Sequence, residues 1–143
     1  MRIRHVVAVT LLSVSMAACS ISVSVGGGPG ENYYRADYGQ VIFGTDLDSS
    51  FEYVKDELTS IRQVGKVAFD AAWSTVATGR VTMMVSRDGG TPEEASGIDC
   101  NEGCTWFSGK YVLANFPGTG RYVFTVVGPS GEQLATGALD ITP

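Results

Sequence analysis

Histidine is almost missing from this chain: His5 is the only one in 143 residues. Beyond it there is no imidazole to act as a general base, to partner a nucleophilic serine or cysteine, or to bind zinc. Cations are scarce as well, with ten Lys and Arg against fifteen Asp and Glu, a formal charge of −5. A nucleic-acid surface needs clustered positive charge, so no such partner is expected. The longest apolar run, Val6 to Met16, is about 11 residues, well short of the ~18 needed to cross a bilayer. A permanent transmembrane helix is not expected. Cysteine is limited to Cys19, Cys100 and Cys104.

What is present begins with a three-part leader. Arg2, Arg4 and His5 make a basic start, the apolar run follows, and small residues close it. The stretch Met16-Ala17-Ala18-Cys19 resembles the lipobox of bacterial lipoproteins, in which an aliphatic residue and two small residues precede a cysteine. Met16 stands where leucine is commoner. The resemblance implies that the Cys19 thiol carries a diacylglyceryl group and that cleavage leaves Cys19 at the mature N-terminus. It places the chain in the cell envelope, attached to a membrane through its acyl chains. Each buried methylene adds ~0.8 kcal/mol and one acyl chain holds only marginally, so two or three chains attach stably. Ser20 in place of Asp implies the outer membrane where the source has two membranes. The competing view is an ordinary secretory leader with a chance cysteine.

Loss of residues 1–18 removes Arg2 and Arg4, leaving eight basic against fifteen acidic groups, a charge of −7. Anionic head groups would repel such a domain, so the acyl chains must hold it unaided. Cys100 and Cys104 remain as an even pair, which in an exported protein reads as a disulfide. The ring is small, worth about 2 kcal/mol by loop-closure entropy. Redox catalysis would favour a C-x-x-C spacing, and a zinc site would need further ligands.

Residues 19–37 read as the lipidated N-terminus and a tether, with Gly26-Gly27-Gly28-Pro29-Gly30 unable to propagate a helix. Residues 38–143 read as one domain. Its patterning is period two: Val67, Phe69, Ala71 and Trp73 alternate with Lys66, Ala68, Asp70 and Ala72. Val81, Met83 and Val85 follow, then the turn Asp88-Gly89-Gly90, then Trp106 to Phe116. Tyr122, Phe124 and Val126 share one face, and Gly128-Pro129-Ser130-Gly131 turns the chain into a last strand over Glu132–Thr142. Six or seven short strands of this kind predict an antiparallel β-sandwich. One stretch is ambiguous. Phe51, Val54, Leu58 and Ile61 fall at helical spacing, with Ser49 and Glu52 as a capping box and Gly65 as a stop, yet Phe51 and Tyr53 also alternate.

The segment Gly120-Arg121-Tyr122-Val123-Phe124, with Leu113 upstream, resembles the tyrosine corner of immunoglobulin-like domains. Gly118 replaces the usual Asp, and Phe124 stands where antibody domains have their second cysteine. The likeness is therefore to the disulfide-free immunoglobulin-like modules of bacterial surfaces. It implies an all-β sandwich and carries over no functional residue.

Glu93, Glu94, Asp99 and Glu102 are the candidate calcium ligands, since hard cations take loop carboxylates, although acidic loops are more often simply solvated. Asp46 and Asp48 form a second acidic spot or serve as turn formers. Trp73 and Trp106 would stack on sugars if exposed and belong to the core if not. No catalytic residue, cofactor or resident metal is expected. The function expected is a membrane-anchored interaction module for an envelope protein or a glycan. The alternative is a carboxylate hydrolase acting on a glycan or peptide.

Overall fold

The computed structural model describes residues 32–143 together with the backbone of His5–Val7, and the remaining residues of the leader, Cys19 and the tether lie outside the described residues. Strand β1 (His5–Val7) is followed by two short strands of a cover, β2 (Tyr33–Tyr34) and, after β3 (Gln40–Gly44), β4 (Asp46–Leu47). Then come β5 (Val54–Lys55), β6 (Ser60–Arg62), β7 (Lys66–Arg87), β8 (Glu93–Val112), β9 (Gly120–Val127) and β10 (Gln133–Thr142). The all-β class expected from the alternation is what the chain forms. This strand order does not by itself establish the immunoglobulin-like topology.

One long hairpin builds most of it. Strands β7 and β8 pair antiparallel from Lys66 opposite Val112 to Val85 opposite Glu93, closed by a turn at Asp88 and Gly89. Both turn residues have positive φ, as a two-residue hairpin bend of matching twist requires. The lower half of β7 pairs with β3, and its upper half pairs with β9. Both partners are antiparallel to β7, yet β10 runs antiparallel to β9 and parallel to β3. Those directions are compatible only if β7 changes course between its halves. The register shifts between Ala72 and Gly79 mark the place. Bulges of this kind let a strand leave one layer and enter the other. The single ladder thus folds over on itself and encloses a core.

The alternating residues fill that core as the sequence predicts. Val67, Phe69, Ala71 and Trp73 are buried, as are Val81, Met83, Val85, Tyr122, Phe124 and Val126. Aromatic rings cross between layers: Phe43 lies 4.8 Å from Phe124, and Tyr111 lies 5.1 Å from Phe69 and 5.8 Å from Phe124, centroid to centroid. Tyr111 keeps its hydroxyl satisfied against Ser96 Oγ at 2.7 Å. The Tyr122 hydroxyl donates to the Gly118 carbonyl at 2.6 Å, the corner expected from Gly-x-Tyr.

The helical alternative over Phe51–Ile61 does not form. Asp48 Oδ1 accepts the N–H groups of Glu52 and Tyr53, and Phe51 and Asp56 take positive φ of 61° and 51°. Those conformations interrupt a right-handed helix within its first turns. The segment instead supplies β5 and β6, with Val54 buried and Ile61 packed on the core. Residues 32–37, assigned above to the tether, lie on the domain: Tyr33 and Tyr34 pair with β5.

Candidate functional site

The four candidate calcium ligands are spread along β8 and its disulfide loop. Glu94 and Asp99 both approach Arg80, at 3.3 and 3.6 Å, so two of the carboxylates share one guanidinium. Glu102 is exposed beside Gly103. Among the described residues no group of three His, Cys, Asp or Glu is placed to hold a metal ion. Charges along an open stretch of strand discourage pairing with a second chain.

Cys100 and Cys104 are joined, with Cα atoms 5.6 Å apart. The bridge closes a bulged loop of β8 opposite Ala77 and Gly79, at the point where the hairpin changes layer. Trp73 Nε1 donates to the Cys104 carbonyl at 3.1 Å, which ties the core tryptophan to the clip. The pair is therefore placed as a local brace. Alkylation of denatured, unreduced protein is expected to leave both cysteines unlabelled. Removing the bridge is expected to cost about 2 kcal/mol, read as a shift in the urea midpoint. Two labelled thiols at these positions would contradict the assignment.

The outer face of the lower layer carries the most unusual chemistry. Asp70 and Ser108 sit opposite each other on β7 and β8 and point away from the core, yet both are buried. They are covered by β2, β4, β5 and the turns between them, which form a small sheet of order β2-β5-β4. Ser108 Oγ donates to the Phe51 carbonyl at 2.6 Å, and Asp70 Oδ2 accepts the Ala36 N–H at 2.8 Å. Lys110 on β8 forms an ion pair with Asp46 on β4, and that ammonium holds the Asp46 carboxyl below its ordinary range. Three contacts thus pin the cover to the sheet.

Asp70 is only 2% exposed, and burial pushes its carboxyl up to about 8. The Ala36 N–H and the Arg35 charge oppose that rise, and Glu52 and Asp48 add to it. Sequence reasoning left Asp70 unmarked among the outward positions of β7. The available signal was its flanking by Ala68 and Ala72, small residues that suit a covered face better than a solvated one.

Aromatic residues border the cover. Trp73 is core, whereas Trp106 is half-buried on the outer face opposite Ala72. Tyr38 bridges to the same Ala72 and is 57% exposed, and Phe51 is 46% exposed. A cleft of about 460 Å³ lies beside the cover, lined by Asn32, Tyr34, Asp56, Glu57 and Thr59. The chain matches no family model, no curated protein and no solved structure.

Proposed function

We propose that the protein is a membrane-anchored lipoprotein of the cell envelope whose β-sandwich, immunoglobulin-like in kind, serves as an interaction module for an envelope protein or a glycan. The observation that carries the anchor is the run Met16-Ala17-Ala18-Cys19 directly after an apolar stretch of leader length. Support for the module comes from the sheet edge. In the full chain β1 lies antiparallel on β8, with His5 opposite Tyr111 and Val7 opposite Gly109. Those residues belong to the proposed leader. Its removal would open the edge at Gly109–Tyr111 to an extended segment of a partner, recognised through backbone hydrogen bonds. Exposed Tyr38 and Phe51 and the half-buried Trp106 offer ring faces to a sugar or an apolar side chain.

A carboxylate hydrolase on the same scaffold is the rival. It would require an acid of raised pKa within reach of substrate, and the carboxyl so perturbed here, Asp70, lies under the cover. Cys19→Ser tests the anchor, because a hydroxyl is far less nucleophilic than a thiol. The variant is expected to accumulate as uncleaved precursor or to appear as soluble protein. Recovery at mature size in the membrane fraction would contradict the proposal. Crosslinking in intact cells that captures an envelope partner supports the module. Turnover of a glycan or peptide abolished by a single Asp or Glu change supports the hydrolase.

A further inference from the structure

A buried carboxyl normally sits against a cation or several donors, since an isolated charge in a protein interior is costly. Asp70 has no such cation. Among the described residues no Lys or Arg lies within ion-pairing distance of it, and Arg35 is engaged with Glu52 at 3.5 Å and lies over the Tyr53 ring at 5.2 Å. The other charged groups of the elements around it are Asp37 beside Ala36, Asp48 and Glu52 in the turn above, Asp46 on β4, Lys55 on β5 and Lys110 on β8. Lys110 is engaged with Asp46. Protonated, Asp70 is neutral and accepts the Ala36 N–H at no electrostatic penalty. Ionised, it recovers only part of its lost hydration from that one bond and faces Asp48 and Glu52.

The cover offers an easy relief. Its strands are two residues each, and it is held by the buried Val54 side chain and three polar contacts. Lifting it would hydrate the carboxylate without disturbing the β7–β9 ladder, because short elements with few buried contacts open at low cost. We propose that Asp70 is a proton-dependent latch: with its proton it holds the two flaps on either side of β3, Asn32–Asp37 and Asp46–Lys55, on the outer face of the sheet, and loss of that proton to solvent releases them. Release uncovers the Asp70–Ser108 row beside Trp106. The latch does not require the membrane anchor, and it adjoins the opened β8 edge through the Lys110–Asp46 ion pair.

The sign follows from linkage. The closed form retains the proton up to about pH 8, whereas the open, hydrated form loses it near the ordinary carboxyl value of 3.8. Closing therefore takes up a proton between those limits. The closed-to-open ratio falls by up to about tenfold per pH unit across the window and is flat above it. Hydrogen exchange of the intact protein, corrected for intrinsic rates, reads that ratio. Protection of the Ala36 and Tyr53 amides is expected to fall at least tenfold from pH 6 to pH 8, with the β7–β9 amides unchanged. In Asp70→Asn it is expected to vary less than twofold over the same range. Wild-type protection that is flat with pH overturns the latch, and so does an equal fall in the variant. Should Asp70→Asn fail to fold, the Ala36 amide nitrogen shift in the wild-type chain decides. Its midpoint lies well above the ordinary carboxyl value of 3.8 if the latch is real, and near that value if Asp70 is an ordinary carboxyl.

Discussion

Replacing Tyr122 by alanine is expected to lower the unfolding free energy by more than ~3 kcal/mol, and by phenylalanine only about 1 kcal/mol. The ring is fully buried, 5.0 Å from Phe116 and edge-on to it, so alanine leaves a cavity at the join of the two layers. Phenylalanine keeps that packing and removes only the hydroxyl. The Gly118 carbonyl then loses its 2.6 Å donor and is left to water at a half-buried corner. The corner has other ties: the Asp88 N–H donates to the Arg121 carbonyl, Asp88 Oδ1 accepts the Arg121 N–H, and Arg87 donates twice to the Thr119 carbonyl. The loop should therefore stay in place when the tyrosine bond is cut. Urea titration of the three proteins, each without the leader and carrying Cys19→Ser, separates the cases. Equal midpoints would mean that the ring is not in the core.

The second large effect is expected at Gly137, where β10 passes β3. A Cβ built there meets the Val41 carbonyl oxygen, a backbone atom that no rotamer change can move. Gly137→Ala must therefore separate β10 from β3. That pair closes the ring of strands through Thr136 opposite Gln40 and the bond from the Thr136 N–H to the Gly39 carbonyl. Forced backbone shifts of this kind cost 1–3 kcal/mol and sometimes more, and about 3 kcal/mol is expected here because the collision is with backbone. A loss under about 0.5 kcal/mol would mean that the two strands do not approach so closely.

Much of this fold was legible because it is local. Alternation marks Val67–Trp73, Val81–Val85 and Tyr122–Val126 as half-buried strands, and all three bury the face the pattern names. The turns at Asp88-Gly89 and Gly128–Gly131 also fall where the glycines place them. Other features depend on contacts distant in sequence. The pattern shows two strands around Ser74–Gly79, whereas the chain continues as one strand that changes layer; only pairing with β3 on one half and β9 on the other reveals it. Helical spacing at Phe51, Val54, Leu58 and Ile61 gives way to Asp48, whose carboxylate gathers the following N–H groups into a turn. Asp70 looked like a solvent-facing strand residue because its cover is drawn from segments 15 to 38 residues upstream. The acidic residues at 93–102 were visible as a cluster, but the approach of Glu94 and Asp99 to Arg80 was not.

Attachment at a membrane through Cys19 is proposed, and the mass of the protein extracted from membranes tests it most directly. Intact-mass and N-terminal peptide measurement should find a chain that begins at Cys19 and carries a diacylglyceryl group on its sulfur, with or without a further acyl chain on its amino group. An unmodified Cys19, or a membrane-associated chain that still begins at Met1, would contradict it.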